Sequence, residues 1–307
     1  MNSTTGIALK LVATLAFTIM SACVRGLNGE IPIGQVIFFR GFLALIPLLI
    51  WFSLSRQPIK VPARRNMRAL LTASGAGLGG MFFGFLALAY LPLVNVTVLS
   101  YTTPLFTIIL AAFLLGEQVR IYRWTAVVAG FLGVFVTLLP DLIALRSVHG
   151  LTNFDQLTLI GTALALTGAL CAALSSIAVR RLNSIEQPSR IVLIHTLTGT
   201  MAGLLLMIFG WEMPNGTQLL LLVGCGLAGG IGQISMTLSL RHAQASLLAP
   251  FDYTTMIWAV ALGIAFMGEM PTTATISGAI VVITAGLFAM WRERRFTRQT
   301  KISLSPE

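Results

Sequence analysis

The sequence carries very little charge for its length. Only 10% of its 307 residues are Asp, Glu, Lys or Arg, whereas a soluble protein of this size carries about 25%. So few charged side chains cannot cover a water-soluble surface, and a soluble globular fold is excluded. Cysteine is scarce too. The chain has 3, far apart in apolar runs, which provides neither a disulfide framework nor metal-ligand spacing.

Motifs of soluble enzymes are also missing. There is no GxxxxGK[ST], no HExxH and no serine elbow in a strand–turn–helix setting. The glycine-rich run Gly75–Gly80 resembles a dinucleotide-binding loop, but it lies inside an apolar segment with no strand before it. We interpret this run and Gly226–Gly232 as places where helix backbones approach closely. We therefore expect no catalytic residue, no metal and no cofactor.

The sequence is rich in long apolar stretches. Hydrophobic residues make up 56% of the chain, and ten stretches approach or exceed the roughly 20 residues that a spanning helix needs. They are 6–24, 33–54, 67–90, 93–115, 122–140, 157–179, 190–210, 217–240, 246–267 and 273–291. The pattern predicts an all-α integral membrane protein with ten transmembrane helices.

Basic residues predict the orientation of these helices. With the N-terminus inside, 16 Lys and Arg lie in inner loops and the tail at 292–307, against 2 in outer loops. Lys10 lies within the first apolar stretch and is interpreted as snorkelling inward. The net charge of +10 forms no basic face, so we expect a bilayer and no nucleic acid as partner. Both termini are predicted to be cytoplasmic, in a bacterial inner membrane.

The chain contains an internal repeat. Leu86–Glu117 aligns without a gap on Leu238–Glu269, with 8 of 32 positions identical, including both Tyr-Thr-Thr runs and the closing Gly-Glu. The halves are predicted at 1–145 and 155–291. Because each half has an odd number of helices, the second must be inverted relative to the first. Secondary transporters use this plan, with the substrate site near the midplane between the halves.

The repeated block resembles the drug/metabolite transporter superfamily, in its ten-helix group built from two EamA repeats. The resemblance is carried by ALAYLPLVNVTVLSYTTPLFTIILAAFLLGE, which ends at Glu117, and by its second copy. Arg40 also resembles an arginine common in helix two of these proteins. The resemblance implies a transporter of small metabolites that works by alternating access. Importers of riboflavin and of S-adenosylmethionine belong to the subgroup that it suggests.

Asp252 is the sharpest polar signal, since its repeat mate is Ser100. It is expected about six residues into helix nine, where an ionised acid is costly unless it is paired. Three readings stay open. Asp252 could be a counter-ion for a cationic substrate, or a protonation site that couples transport to a proton gradient. It could also serve structure alone, by pairing with Arg40 or by capping backbone where Pro250 breaks the helix.

Arg40 and His195 are related by the repeat at a shift of 155 residues. Arg40 could bind carboxylate or imide oxygens with its planar fork, or it could form a structural ion pair. His195 could relay protons near neutral pH, or it could simply bond to a neighbouring helix. We therefore keep His195, with Asp252, as a candidate for proton coupling.

A polar stripe on helix four and its counterpart on helix nine predict a central cavity. Each Ser or Thr could instead bond to its own helix backbone, and Gln35 could add an amide contact. We expect Glu117 and Glu269 to hold loops or helix ends. The predicted substrate-binding side chains are Arg40, Thr97, Ser100, Tyr101, Gln233, Asp252, Tyr253 and Trp258.

The sequence favours uptake of a small-molecule vitamin such as riboflavin. Uptake of S-adenosylmethionine, which would use Asp252 as a counter-ion, and efflux of amino-acid metabolites are the alternatives. An integral-membrane enzyme is a further alternative of another class, but no cluster of His and Asp at a membrane face supports it. The sequence leaves open whether two copies pair as a homodimer.

Overall fold

The structure is a computed structural model that describes residues 3–55, 64–115, 121–144, 153–182, 186–243 and 245–303. The described residues form helices and turns, without strands. This follows from the composition, because only helices and closed barrels satisfy every backbone polar group inside a bilayer. The helices are α1 Ser3–Gly26, α2 Ile33–Ser55, α3 Arg64–Tyr90, α4 Leu93–Ser100, α5 Thr103–Leu115, α6 Ile121–Ala144, α7 Asn153–Leu182, α8 Pro188–Leu206, α9 Gly216–His242, α10 Ala245–Leu248, α11 Thr254–Met267 and α12 Thr273–Ser303.

These helices confirm the predicted all-α membrane architecture. Within the described ranges, 8 segments are long and apolar enough to cross a membrane. Shorter apolar stretches in α6, Val127–Thr137, and in α12, Thr273–Phe288, complete the ten. α4 with α5, and α10 with α11, each make up one of the ten predicted spans.

The fourth and ninth spans, predicted from the sequence at 93–115 and 246–267, are each interrupted within the membrane. A turn at Tyr101 and Thr102 separates α4 from α5, and a 3-10 segment, Ala249–Tyr253, separates α10 from α11. Pro104 and Pro250 explain both breaks, because proline has no N–H to continue the hydrogen-bond ladder. The breaks fall at the Tyr-Thr-Thr run in each repeat. Transporters of inverted-repeat design often bind substrate at such discontinuous helices.

Helix packing follows the two-fold repeat. α1 packs along α9, and its repeat mate α7 packs along α3, while α6 packs against α12. α1 also packs against α11, and α7 against α4 and α5. Two bundles result, one of α1, α9 and α11 and the other of α3, α4, α5 and α7. They meet where α4 contacts α11.

The glycine-rich runs lie at helix contacts, as the sequence predicted. A Cβ at Gly80 would lie 3.1 Å from backbone atoms of Gly168 and Ala172 on α7. In the second run, a Cβ at Gly226 would lie 2.8 Å from the carbonyl oxygen of Phe39 on α2. These glycines let the backbones approach closely, which supports packing as their role.

Two glycine substitutions should differ in their effect on stability. A Cβ at Gly230 would lie 3.0 Å from the Cα of Ala44, whereas one at Gly75 has no atom outside its own helix within 4 Å. We expect Gly230→Ala to destabilise the protein by about 1–3 kcal/mol, because two backbones must separate. Gly75→Ala should leave stability unchanged or raise it by up to about 1 kcal/mol. Thermal unfolding in detergent measures both, and equal midpoints would contradict the packing role of Gly230.

Candidate substrate site

A cavity of about 590 Å³ opens between α3, α7, α8 and α9. It extends to Leu240 and Arg241, at the end of α9, and to Val179, near the end of α7. We call the face of the protein on that side the cavity face. Most of the wall is apolar. Polar side chains on it include Ser74, Ser175, His195, Gln233 and Thr237.

Two predicted residues, His195 and Gln233, line this cavity. His195 has room because residue 77 is glycine, where a Cβ would come within 2.8 Å of the imidazole Cε1. Ser175 donates a hydrogen bond to the carbonyl oxygen of Ala73, 2.9 Å away, and so ties α7 to α3 beside the imidazole. His195 therefore faces the cavity, and its role in proton coupling stays a prediction.

Arg40 lies deeper than the cavity and is almost fully buried. Only 4% of the residue is exposed, and its Nε has no hydrogen-bond partner within the part of the chain that the structure describes. A Cβ at Gly229 would lie 3.2 Å from that Nε, and Gly229 is one turn of α9 away from the cavity-lining Gln233. The guanidinium group is therefore a buried cation about one helical turn beyond the cavity wall.

Asp252 pairs with Lys10 rather than with Arg40. Lys10 Nζ lies 2.6 Å from Asp252 Oδ1, with Lys10 only 2% exposed and the Asp252 side chain 52% exposed. Lys10 Nζ also contacts the sulfur of Met236, at 3.2 Å. Asp252 thus has an ion-pair partner, but it is Lys10 and not Arg40, which was one of the alternatives left open, and Lys10 does not snorkel. Because α1 packs against the 3-10 segment that carries Asp252, the lysine finds its counter-charge inside the protein.

Tyr101 and Tyr253, equivalent in the two repeats, contact each other where the two broken spans meet. Their ring centroids are 5.2 Å apart in an edge-to-face arrangement. The Tyr101 hydroxyl donates a hydrogen bond to the Tyr253 carbonyl oxygen, 3.3 Å away. The structure thus brings Tyr101 and Tyr253 together, with Asp252 next to Tyr253 in the chain, but these residues are not among those that line the cavity. Their role in binding substrate stays a prediction.

The remaining predicted residues do not line the cavity. Thr97 donates to the carbonyl oxygen of Leu93 at 2.8 Å, and Ser100 donates to that of Thr97 at 2.7 Å. Both hydroxyls are thus satisfied by their own helix, which was the alternative reading. Trp258 differs, because its buried indole Nε1 has no partner among the described residues.

The sequence model of the EamA-like transporter family matches residues 4–139 and 159–291. The chain belongs to this family. EamA-like proteins are part of the drug/metabolite transporter superfamily, so the resemblance carried by the repeated block is confirmed. The protein is accordingly a transporter rather than a member of an enzyme family.

Three curated relatives show the range of this family. The chain is 26% identical over 282 residues to the Pseudopaline exporter CntI of Pseudomonas aeruginosa, covering 91% of this chain and 94% of that protein. It is 29% identical to a riboflavin transporter of Rhizobium johnstonii, covering 94% and 92%. It is 26% identical to an S-adenosylmethionine uptake transporter of Rickettsia felis, also covering 94% and 92%.

A solved crystal structure supports the fold. It superposes on this EamA-like transporter with a TM-score of 0.64 at 19% sequence identity, covering 96% of this chain and 99% of the other. At that identity, the likeness extends to the fold alone.

An ion pair of this EamA-like transporter joins helix ends on the face opposite the cavity. Arg25 Nε lies 2.7 Å from Glu269 Oε1, and Arg25 Nη1 donates to the Leu88 carbonyl oxygen at 3.0 Å. Glu269 Oε2 accepts a hydrogen bond from the Leu93 N–H at 2.9 Å. We call these four residues the clamp and their face of the protein the clamp face. Glu269 thus holds a helix end, as expected, while Glu117 lies outside the described residues.

Two further contacts tie the clamp face. The Gln35 side chain donates to the Glu212 carbonyl oxygen at 2.9 Å and accepts from the Glu212 N–H at 3.2 Å. Gln218 donates to a carboxylate oxygen of Glu30 at 2.8 Å. Because both ends of its amide are used in this way, Gln35 is not free for the substrate contact considered from the sequence.

Glu186 joins three elements at the cavity face. It accepts hydrogen bonds from Asn66, at 2.7 Å, and from Arg190, at 2.9 Å. The hydrogen bond from Asn66, helped by Arg190, lowers the pKa of Glu186, although burial acts in the opposite direction. The ionised carboxylate therefore stabilises the fold above the ordinary glutamate pKa of about 4.3. That contribution is lost as the pH falls through the lowered value.

Lys10 and Arg25 are functional candidates that sequence reasoning missed. Lys10 is a single cation in an apolar stretch, which is a signal for a buried partner, but nothing in the sequence names the partner. Arg25 has a basic repeat mate, Arg180, and that match was the available signal. No group of three His, Cys, Asp or Glu suited to a metal is found among the described residues.

Proposed function

We propose that this protein is a secondary transporter that takes up a small metabolite by alternating access, with riboflavin as the first candidate. The observation that carries the proposal is the cavity of about 590 Å³ with mostly apolar walls and a few polar groups. Small-molecule sites have volumes of about 300–1,000 Å³ and this kind of lining. His195 and Gln233 would contact the polar edge of the ligand there.

The charges around the cavity support a neutral or anionic substrate. Asp252 is already neutralised by Lys10 at 2.6 Å, so a sulfonium or ammonium group would have to displace a buried lysine. Arg40 carries a buried positive charge and an Nε that no described residue hydrogen-bonds. Its planar fork suits imide carbonyls, such as those of riboflavin, or a carboxylate. This arrangement ranks S-adenosylmethionine below riboflavin.

Efflux of a carboxylate-bearing, amino-acid-like metabolite is the second candidate. It is favoured by Arg40, because bidentate arginine–carboxylate pairs are among the strongest hydrogen-bonded contacts. The similarity to an exporter in Pseudomonas aeruginosa is compatible with it. The two candidates differ in direction and in the charge of the substrate, so one transport assay separates them.

We also propose that the cavity face is cytoplasmic and that Asp252 or His195 couples transport to protons. The excess of Lys and Arg in the loops of that face supports the orientation. His195 lines the cavity, so a proton bound to its imidazole would lie next to a substrate held in the cavity. Proton coupling predicts that an ionophore abolishes concentrative uptake. Uptake that persists to its full extent would indicate facilitated diffusion.

A panel of radiolabelled substrates in proteoliposomes tests the proposal. Riboflavin, S-adenosylmethionine and several amino acids are offered separately to vesicles that contain the purified protein, with protein-free vesicles as the control. We expect saturable riboflavin uptake that unlabelled riboflavin abolishes. Movement of amino acids alone would support the second candidate, and uptake of S-adenosylmethionine alone would contradict the charge argument.

A further inference from the structure

The clamp connects the two helix bundles at the clamp face. Arg25 lies in the last turn of α1, and Glu269 follows the end of α11, so both belong to the first bundle. Leu88, near the end of α3, and Leu93, at the start of α4, belong to the second. One carboxylate and one guanidinium thus hold the ends of four helices together across the boundary between the bundles.

The local backbone fixes Glu269 in its position. Gly268 ends α11 with a φ of 64°, in the left-handed region that favours glycine. The Glu269 N–H then donates to the carbonyl oxygen of Gly263, six residues earlier, at 3.0 Å. This turn directs the chain back over the end of α11. Because Arg25 and Glu269 are both mostly shielded from solvent, their attraction is screened less than that of a surface pair.

The space beneath the clamp is filled by apolar side chains. The main core cluster contains Val24 of α1, Leu88 of α3, Val94 of α4 and Ala259 of α11. A Cβ at Gly263 would lie 3.6 Å from a methyl group of Val94, and Ala259 is one turn away on the same face of α11. The bundles are therefore in direct contact below the clamp, while the cavity opens at the other end.

We propose that the clamp is the gate of the clamp face. With Arg25 and Glu269 paired, the substrate site is open only toward the cavity face. Opening toward the clamp face requires Glu269 to release Arg25 and the Leu93 N–H, and Arg25 to release the Leu88 carbonyl oxygen. This inference rests on the proposed alternating access, since a gate has a role only in a protein that opens to both sides.

Accessibility of single cysteines tests the gate without any substrate. In a background in which Cys23, Cys171 and Cys225 are replaced by alanine, Ala259→Cys reports on the core beneath the clamp, where Ala259 is 0% exposed. Ser176→Cys reports on the cavity that Ser176 lines. A membrane-impermeant maleimide is added to right-side-out and to inverted vesicles, and the labelling rates are compared.

We expect Glu269→Gln and Arg25→Gln each to raise labelling of Ala259→Cys from the clamp-face side by about tenfold, because a charge-assisted contact is lost. Labelling of Ser176→Cys from the opposite side should fall in the same variants. Glu212→Gln is the matched control. It makes the same change on the same face, where Glu212 holds Gln35 through its backbone.

The outcomes separate a gate from a structural tie. If both clamp variants give monodisperse protein in detergent, and Ala259→Cys stays as unreactive as in Glu212→Gln, the gate is disproved. If one variant does not fold, the other decides in the same way. Labelling requires no transported molecule, so failure of every substrate in the panel leaves this test unaffected.

Discussion

Asp252→Asn is expected to destabilise the protein strongly, whereas Lys10→Met is expected to have a small effect. The asparagine variant leaves the ammonium of Lys10 without its counter-ion in a site where the residue is only 2% exposed. Breaking a buried ion pair in this way costs about 3–5 kcal/mol. The methionine variant instead leaves Asp252, whose side chain is 52% exposed and so is far less buried than that of Lys10. The structure therefore predicts that neutralising Asp252 costs more stability than neutralising Lys10, although both changes remove the same ion pair.

The double variant Lys10→Met/Asp252→Asn provides the control. With both charges removed, we expect the thermal midpoint in detergent to return close to that of the wild type, since neutral replacement of a buried pair is often harmless. A symmetric loss in the two single variants would contradict the burial argument. So would a double variant as unstable as Asp252→Asn.

The double variant also separates structure from function at Asp252. A loss of transport in Asp252→Asn alone would be uninformative, because that variant is expected to be unstable. If the folded double variant transports at the wild-type rate, the pair is structural. If it folds but transports less, or loses its sensitivity to an ionophore, Asp252 participates in the transport cycle.

Arg40→Met is expected to lower transport by about a hundredfold while leaving stability unchanged or slightly raised. The Nε of Arg40 has no hydrogen-bond partner among the described residues, so its removal leaves no described partner of that nitrogen unpaired. A buried cation without a counter-ion is costly in a membrane protein, and its loss relieves that cost. A charged hydrogen bond to a ligand contributes about 1.5–3 kcal/mol, which corresponds to the expected loss of transport.

Two further arginine variants sharpen this experiment. Arg40→Lys keeps the charge but loses the planar fork, so it should recover part of the transport of a carboxylate and little of that of an imide. Arg241→Met, at the exposed mouth of the cavity, is the control for loss of a positive charge nearby. Wild-type transport by a folded Arg40→Met protein would remove Arg40 from the substrate site.

The architecture was predictable because it depends on quantities that can be read along the chain. Apolar length predicted the ten spans, and the repeat predicted that Tyr101 and Tyr253 would correspond. The partner of Asp252 was not predictable. The distance between Asp252 and Lys10 depends on how α1 is rotated about its own axis where it packs against the 3-10 segment. Hydropathy carries no information about that rotation. The same holds for Gln35, whose amide is used by the Glu212 backbone.

The breaks in the fourth and ninth spans show a second limit. Pro104 and Pro250 marked where a helix could end, but a proline inside an apolar run can also kink a helix that continues. In the fourth span, side-chain bonds accompany the break at Pro104, since the Ser100 and Thr102 hydroxyls both donate to backbone carbonyl groups in the preceding turn. Such competition between side chain and backbone depends on rotamers that the sequence does not specify.

The contact between Tyr101 and Tyr253 has a consequence for how a bound molecule moves. The two rings occupy the same position in the two repeats and lie 5.2 Å apart, so they are close to the pseudo-symmetry axis. If the two repeats exchange conformations, atoms close to that axis are displaced less than atoms far from it. A molecule held beside these rings would itself move little. The helices around it would move instead and make it accessible first from one side of the membrane and then from the other.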